Sequence, residues 1–149
     1  MNNLCTNMFS ISFPPIEADV IEFANRWTDK LVRQDYETAF EMLHLVTEYP
    51  GRSWVRSPDE LETWISNYGS DTPLEDEPPY VVTDIATAGG AQWDNDCDLL
   101  SDSERYPGCI GRLDWSLPLN GEWSDLQASF DLVKVEGRAV FVLVALRVP

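Results

Sequence analysis

Apolar residues recur at intervals of four, three and four through Val20, Ala24, Trp27 and Leu31. That spacing marks one face of a helix and predicts an element over about Ile16 to Arg33. Ile21, Phe23 and Val32 widen the stripe, so the helix is expected to pack on two sides. Asp35 is placed to cap a second helix by accepting from its free amides, with Tyr36, Ala39, Phe40 and Leu43 as the buried face. Pro50-Gly51 then predicts a turn. In Ser57-Pro58-Asp59-Glu60, Ser57 caps, Pro58 suits the first helical position and Glu60 completes a capping box. Leu61, Trp64, Ile65 and Tyr68 supply the apolar face of this third helix, and Gly69 is its stop residue.

Beyond Gly69 the period changes. Tyr80 to Ala88 is rich in β-formers between Pro78-Pro79 and Gly89-Gly90, which predicts a strand. Gly111 to Leu117 predicts another, turned by Asn120-Gly121. Leu126, Ala128, Phe130 and Leu132 alternate with Gln127, Ser129 and Asp131, the mark of an antiparallel strand with one wet face. Glu136-Gly137 turns the chain into Ala139–Val148, which is almost wholly apolar and is therefore expected in the middle of the sheet, covered on both sides. Helices first and strands later predict an α+β fold: three N-terminal helices packed on a curved, mainly antiparallel sheet. Residues 1–15 are expected to be an extended arm ending at Pro14-Pro15, and residues 16–149 a single domain.

The 149 residues are 44% hydrophobic, enough for one core. Charge changes the picture more. Ten Lys and Arg against 26 Asp and Glu give a net charge of −16. That balance argues against a nucleic-acid partner, which needs clustered cations, and against anionic membranes. No apolar run approaches the ~20 residues of a membrane span. Met1 to Ser12 carries no basic residue and is broken by asparagines, unlike a secretory leader, so a cytoplasmic protein is expected. The cysteines, Cys5, Cys97 and Cys109, are odd in number and unsuited to a disulfide framework or a zinc site; free thiols are expected, and no metal or cofactor.

The acids are not evenly spread. Ten lie between Asp71 and Glu104, and no Lys or Arg falls between Arg56 and Arg105. A solvated, solubilising surface is the plain explanation. The sharper one is a docking surface for a basic protein, since massed like charge opposes compaction. Its candidate residues are Glu75, Asp76, Glu77, Tyr80, Trp93, Asp94, Asp96, Asp98, Asp102 and Glu104, with Tyr106 as further aromatic company. Asp94-Asn95-Asp96-Cys97-Asp98 also resembles the opening of a calcium loop. Leu99 stands where that loop needs Gly and Arg105 where it needs Glu, so the pattern fails twice.

No phosphate loop, nucleophile elbow or paired-histidine motif is present, and no catalytic residue is assigned. His44 is the single histidine; Glu41, one turn back, is placed to orient it, although a helix-end histidine more often packs or faces solvent. Asp29 and Asp35 lie near Trp27 and Tyr36 and are weaker candidates to line a pocket.

The helix from Glu17, the Gln34-Asp35-Tyr36-Glu37-Thr38-Ala39-Phe40 segment, the Ser57–Gly69 helix and the closing strands Asp125–Glu136 and Arg138–Val148 resemble the NTF2-like (SnoaL-like) α+β cone in order and pattern. The resemblance covers residues 16–148 and implies a bent sheet wrapped around helices and a pocket. It further implies either a non-catalytic binding module or an isomerase- or dehydratase-type enzyme. In that second case Trp27, Tyr36, Phe40, His44 and Tyr68 would line a small-molecule pocket. The resemblance also implies that a homodimer through the open sheet face is possible. In size and charge the chain is similar to acidic bacterial immunity proteins, which neutralise toxins that are often basic. The leading expectation is thus a non-enzymatic cytoplasmic protein that docks a basic partner, with a toxin as its target.

Overall fold

The computed structural model describes residues 8–73, 79–93, 95–99 and 105–149. Among these residues the chain forms β1 (Ser10–Ser12), α1 (Glu17–Val32), α2 (Tyr36–Glu41), α3 (Pro58–Ser66), β2 (Asp96–Leu99), β3 (Cys109–Leu119), β4 (Glu122–Val135) and β5 (Arg138–Arg147). The strands make one curled sheet in the order β1-β5-β4-β3-β2, with every neighbouring pair antiparallel. The α+β class is as the sequence predicts, and no described helix is long and apolar enough to cross a membrane.

Local chemistry accounts for the starts of α2 and α3 and for both hairpins. Asp35 accepts from the Thr38 amide at 3.1 Å and starts α2. Ser57 Oγ accepts from the Glu60 amide at 3.1 Å and starts α3. The Glu60 carboxylate accepts from the Arg56 amide at 2.8 Å, one residue earlier than the expected capping box would place it. Both hairpins turn through paired positive φ angles, 50° and 91° at Asn120-Gly121 and 50° and 79° at Glu136-Gly137. Such turns match the right-handed twist of the strands they join. Register shifts between Cys109 and Gly111, between Ser116 and Pro118, and between Ser129 and Phe130 bend the long strands.

One face of the sheet receives α1. Phe23 stacks on Phe141 with ring centroids 3.8 Å apart and meets Phe130 edge-on at 5.2 Å. Trp27 meets Phe130 edge-on at 4.9 Å. The polar atoms that this packing buries are all paired. Trp27 Nε1 donates to the Ala39 carbonyl at 3.2 Å, and Trp115 Nε1 donates to Thr28 Oγ1 at 3.0 Å. Thr28 Oγ1 donates in turn to the Ala24 carbonyl at 2.7 Å. Val20, Ala24, Trp27 and Leu31, the predicted stripe, are all fully buried.

Three expectations are corrected. Tyr80 to Ala88 is not a strand: Asp84 accepts from the Ala86 amide and winds Ile85–Thr87 into a single 3₁₀ turn, leaving one bridge from Val82 to Leu119. β5 is buried on both faces as expected, yet it lies second from the sheet edge and β4 holds the centre. The alternating polar face of β4 is not wet throughout, because Ser129 and Asp131 are buried. The segments around Gly51 and Tyr106 meet over that face, and a side chain at Gly51, where φ is +78°, would overlap the Tyr106 ring. Part of the expected arm, Ser10–Ser12, is pinned to β5 as the edge strand β1.

Phe130 joins Phe23 and Trp27 to the sheet. Phe130→Ala is therefore expected to cost about 3–5 kcal/mol in chemical denaturation, against about 1 kcal/mol for Ser57→Ala, which removes only a helix cap.

Candidate functional site

β2 is the outermost strand on its side of the sheet, and its alternation sorts its side chains. Cys97 and Leu99 pack inward, partly buried, and Asp96 and Asp98 are exposed. The strand lies tightly on β3, since a Cβ at Gly111 would stand 2.9 Å from the Asp98 carbonyl oxygen, so only glycine allows this approach. The preceding segment is tied down as well. Asn95 Oδ1 accepts from the Ser116 amide at 3.2 Å, and Ser116 Oγ donates to the Trp93 carbonyl at 3.4 Å. The backbone at Trp93 is thus anchored while its side chain remains 52% exposed.

Carboxylates outnumber cations here. Asp96 stands across from Asp114, and Asp98 across from Arg112. Arg112, however, pairs with Asp114 at 3.2 Å, and neither Asp96 nor Asp98 has an ion pair among the described residues. The Cys97 thiol registers the field: burial, and then the negative charges of Glu17, Asp96 and Asp98, push it up to about 11. Glu17 opens α1, so a helix start and a strand edge contribute to one acidic patch. Because Asp96–Leu99 is extended strand, these residues do not form the calcium loop considered above. Glu75, Asp76, Glu77, Asp94, Asp102 and Glu104 lie outside the described residues. Tyr80 has its ring against Tyr68, at 4.9 Å, and its amide on the Ser66 carbonyl, which places it at the end of α3.

The candidate pocket residues are placed as follows. Trp27 is fully buried between α1 and the sheet, Tyr36 is buried on α2, and Phe40 packs half-buried against the core. The Tyr68 hydroxyl donates to the Asp125 carboxylate, and burial together with that bond raises its pKa. His44 donates its backbone amide to the Phe141 carbonyl at 2.8 Å, and burial lowers the pKa of its imidazole. Asp29 pairs with Arg33 at 3.1 Å and Asp35 caps α2, so both have structural roles. Phe23, Trp27, Phe130 and Phe141 occupy the space between α1 and the sheet.

A second constellation lies on the sheet face opposite α1. Buried Asp131 accepts from Arg105 at 2.7 Å on one oxygen and from the Tyr106 hydroxyl at 2.6 Å on the other. Burial and this carboxylate hold the Tyr106 hydroxyl protonated well above its ordinary range. Beside it opens a groove of about 610 Å³, walled by the 49–56 segment, the start of α3 and the Arg112, Asp131 and Val144 positions of the sheet. Its cations, Arg52, Arg56, Arg105 and Arg112, are scattered along the chain, so no local motif announces them. Only the alternation of β3 and β4, which sends Arg112 and Asp131 to the same face as cross-strand partners, hints at the site.

The chain is an α+β protein with an acidic strand edge at one side of a curled sheet and an arginine-walled groove on its outer face. No family model matches it, and neither a curated protein nor a solved structure does.

Two outcomes follow from these environments. At pH 8 the thiolate fraction of Cys97 is expected to be about a hundredfold below that of a thiol at 9.0, given its value of about 11. Alkylation followed by mass spectrometry should show slow labelling at Cys97, accelerated by Asp96→Asn with Asp98→Asn. For His44, the unfolded chain takes up a proton near pH 6.5 and the folded one resists it, so stability falls as pH drops through and below that value. Denaturation midpoints at pH 7 and 5.5 should therefore differ less in His44→Gln than in the parent protein.

Proposed function

We propose that the protein is a non-enzymatic acidic binding protein on an NTF2-like cone, which works in the cytoplasm by docking a basic protein partner. A toxin that it neutralises is the partner class that this charge suits. The observation that carries the reading is the anchored, half-exposed indole of Trp93 on the segment that leads into Asp96 and Asp98, two exposed carboxylates with no ion pair among the described residues. Binding hot spots combine a large aromatic anchor with a surrounding polar rim. About half of the roughly 150–250 Å² that an aromatic side chain can bury is still open at Trp93, and the carboxylates supply attraction that acts before contact. Net charge of −16 accelerates encounter with a cationic partner and makes that encounter depend on salt. A strand edge suits this use because its position is set by β3 and not by a mobile loop.

The test is capture from native extract by immobilised wild-type protein and by a Trp93→Ser, Asp96→Asn, Asp98→Asn variant. A basic polypeptide is expected on the wild type at low salt, released as salt rises and absent from the variant. Equal recovery on both surfaces would overturn the proposal.

A further inference from the structure

We infer that the groove on the outer sheet face is a binding site for an organic anion, a carboxylate or phosphate carried on a planar ring. This site is separate from the docking edge and does not rest on it. The first observation is the concentration of cations. Four of the chain's ten Lys and Arg residues, Arg52, Arg56, Arg105 and Arg112, wall one groove, together with two acids, Glu60 and Asp131. Both acids are already engaged. Asp131 gives one oxygen to Arg105 and the other to Tyr106, and Glu60 accepts from the Arg56 amide. Among the described residues, ion pairs involve Arg26, Arg33, Arg105 and Arg112, and none involves Arg52 or Arg56. Among the described residues the groove wall thus holds four guanidinium groups against two carboxylates, and Arg52 and Arg56 carry the surplus of positive charge. Their planar forks fit the paired oxygens of a carboxylate or phosphate.

The second observation is aromatic. Tyr49, Trp54 and Trp64 stand in the same wall. Tyr49 is 88% exposed, so its ring is open to stacking. Trp54 and Trp64 meet edge-on at 5.2 Å and brace each other. Trp54 Nε1 is the one buried side-chain polar atom without a hydrogen-bond partner among the described residues. A buried donor left unpaired is costly, and this one lies within the groove wall, where its N–H signal reports on the groove without itself meeting a ligand. The volume of about 610 Å³ lies within the usual range for small-molecule sites. Guanidinium groups for the anion and aromatic rings for a flat body together define the ligand class.

The experiment is a titration of the full, ¹⁵N-labelled chain with phenyl phosphate, benzoate, inorganic phosphate and benzyl alcohol, followed at the indole N–H signals of Trp54 and Trp64. Saturable shifts are expected with at least one of the two ring-bearing anions, and the tighter of the two identifies the head group. Arg52→Gln with Arg56→Gln should weaken that binding by at least about tenfold. Both side chains are exposed, so the fold is not at stake. Arg26→Gln, outside the groove, should leave the affinity unchanged. The inference is overturned if neither ring-bearing anion shifts Trp54, if benzyl alcohol or inorganic phosphate binds as tightly as they do, or if the double variant binds like the parent. Capture of a basic partner reads the Trp93 edge and is unaffected by these outcomes.

Discussion

The structure depends on the burial of α1 against the inner face of the sheet through four aromatic rings. Phe23 and Trp27 each occupy the helix position that faces Phe130, and Phe23 also lies flat on Phe141. Phe130 and Phe141 belong to neighbouring strands, so the helix is packed on both at once. That packing commits one face of the sheet entirely to the core and leaves polar chemistry to the other face and to the edges. The hydrogen bonds of Trp27 and Trp115 to Ala39 and Thr28 allow two indoles to be buried without an idle donor. The idle donor of Trp54 belongs to the outer face, where packing is looser.

Much of this architecture is legible in the sequence because it arises from local periodicity. The stripe through Val20, Ala24, Trp27 and Leu31, the caps at Asp35 and Ser57, and the two hairpin turns all depend on neighbours within a few residues. Tyr80 to Ala88 has strand-forming residues, but Asp84 offers its backbone a competing turn, and that choice is settled by contacts to the β3–β4 hairpin far along the chain. The burial of Ser129 and Asp131 is likewise set from outside β4, by the segments that fold over it.

Site chemistry was less legible for the same reason. Clustering of acids is visible in a linear sequence, so the segment containing Trp93, Asp96 and Asp98 stands out. The arginine groove draws on residues 52, 56, 105 and 112, which fall on either side of the long acidic stretch and are brought together only by the fold. Net charge therefore misdescribes the surface: a molecule of −16 carries a cationic hollow whose immediate neighbour, through the Asp98–Arg112 pairing, is its acidic strand edge. Asp98 and Arg112 stand directly opposite each other, closer than the roughly 8–10 Å over which exposed charges are screened at physiological salt, so the two regions meet at a boundary where their fields oppose.

The outer side of β5 is closed in an unusual way. Beyond the three residues paired with β1, its carbonyls at Phe141 and Leu143 accept from the amides of His44 and Trp54, at 2.8 Å each. An irregular loop thus does the work of a missing strand. An unpaired edge of such apolar character invites another chain to add to it. The loop that walls the arginine groove is therefore also the barrier against fibril-like self-association, and lesions that loosen it would surface first as loss of soluble protein.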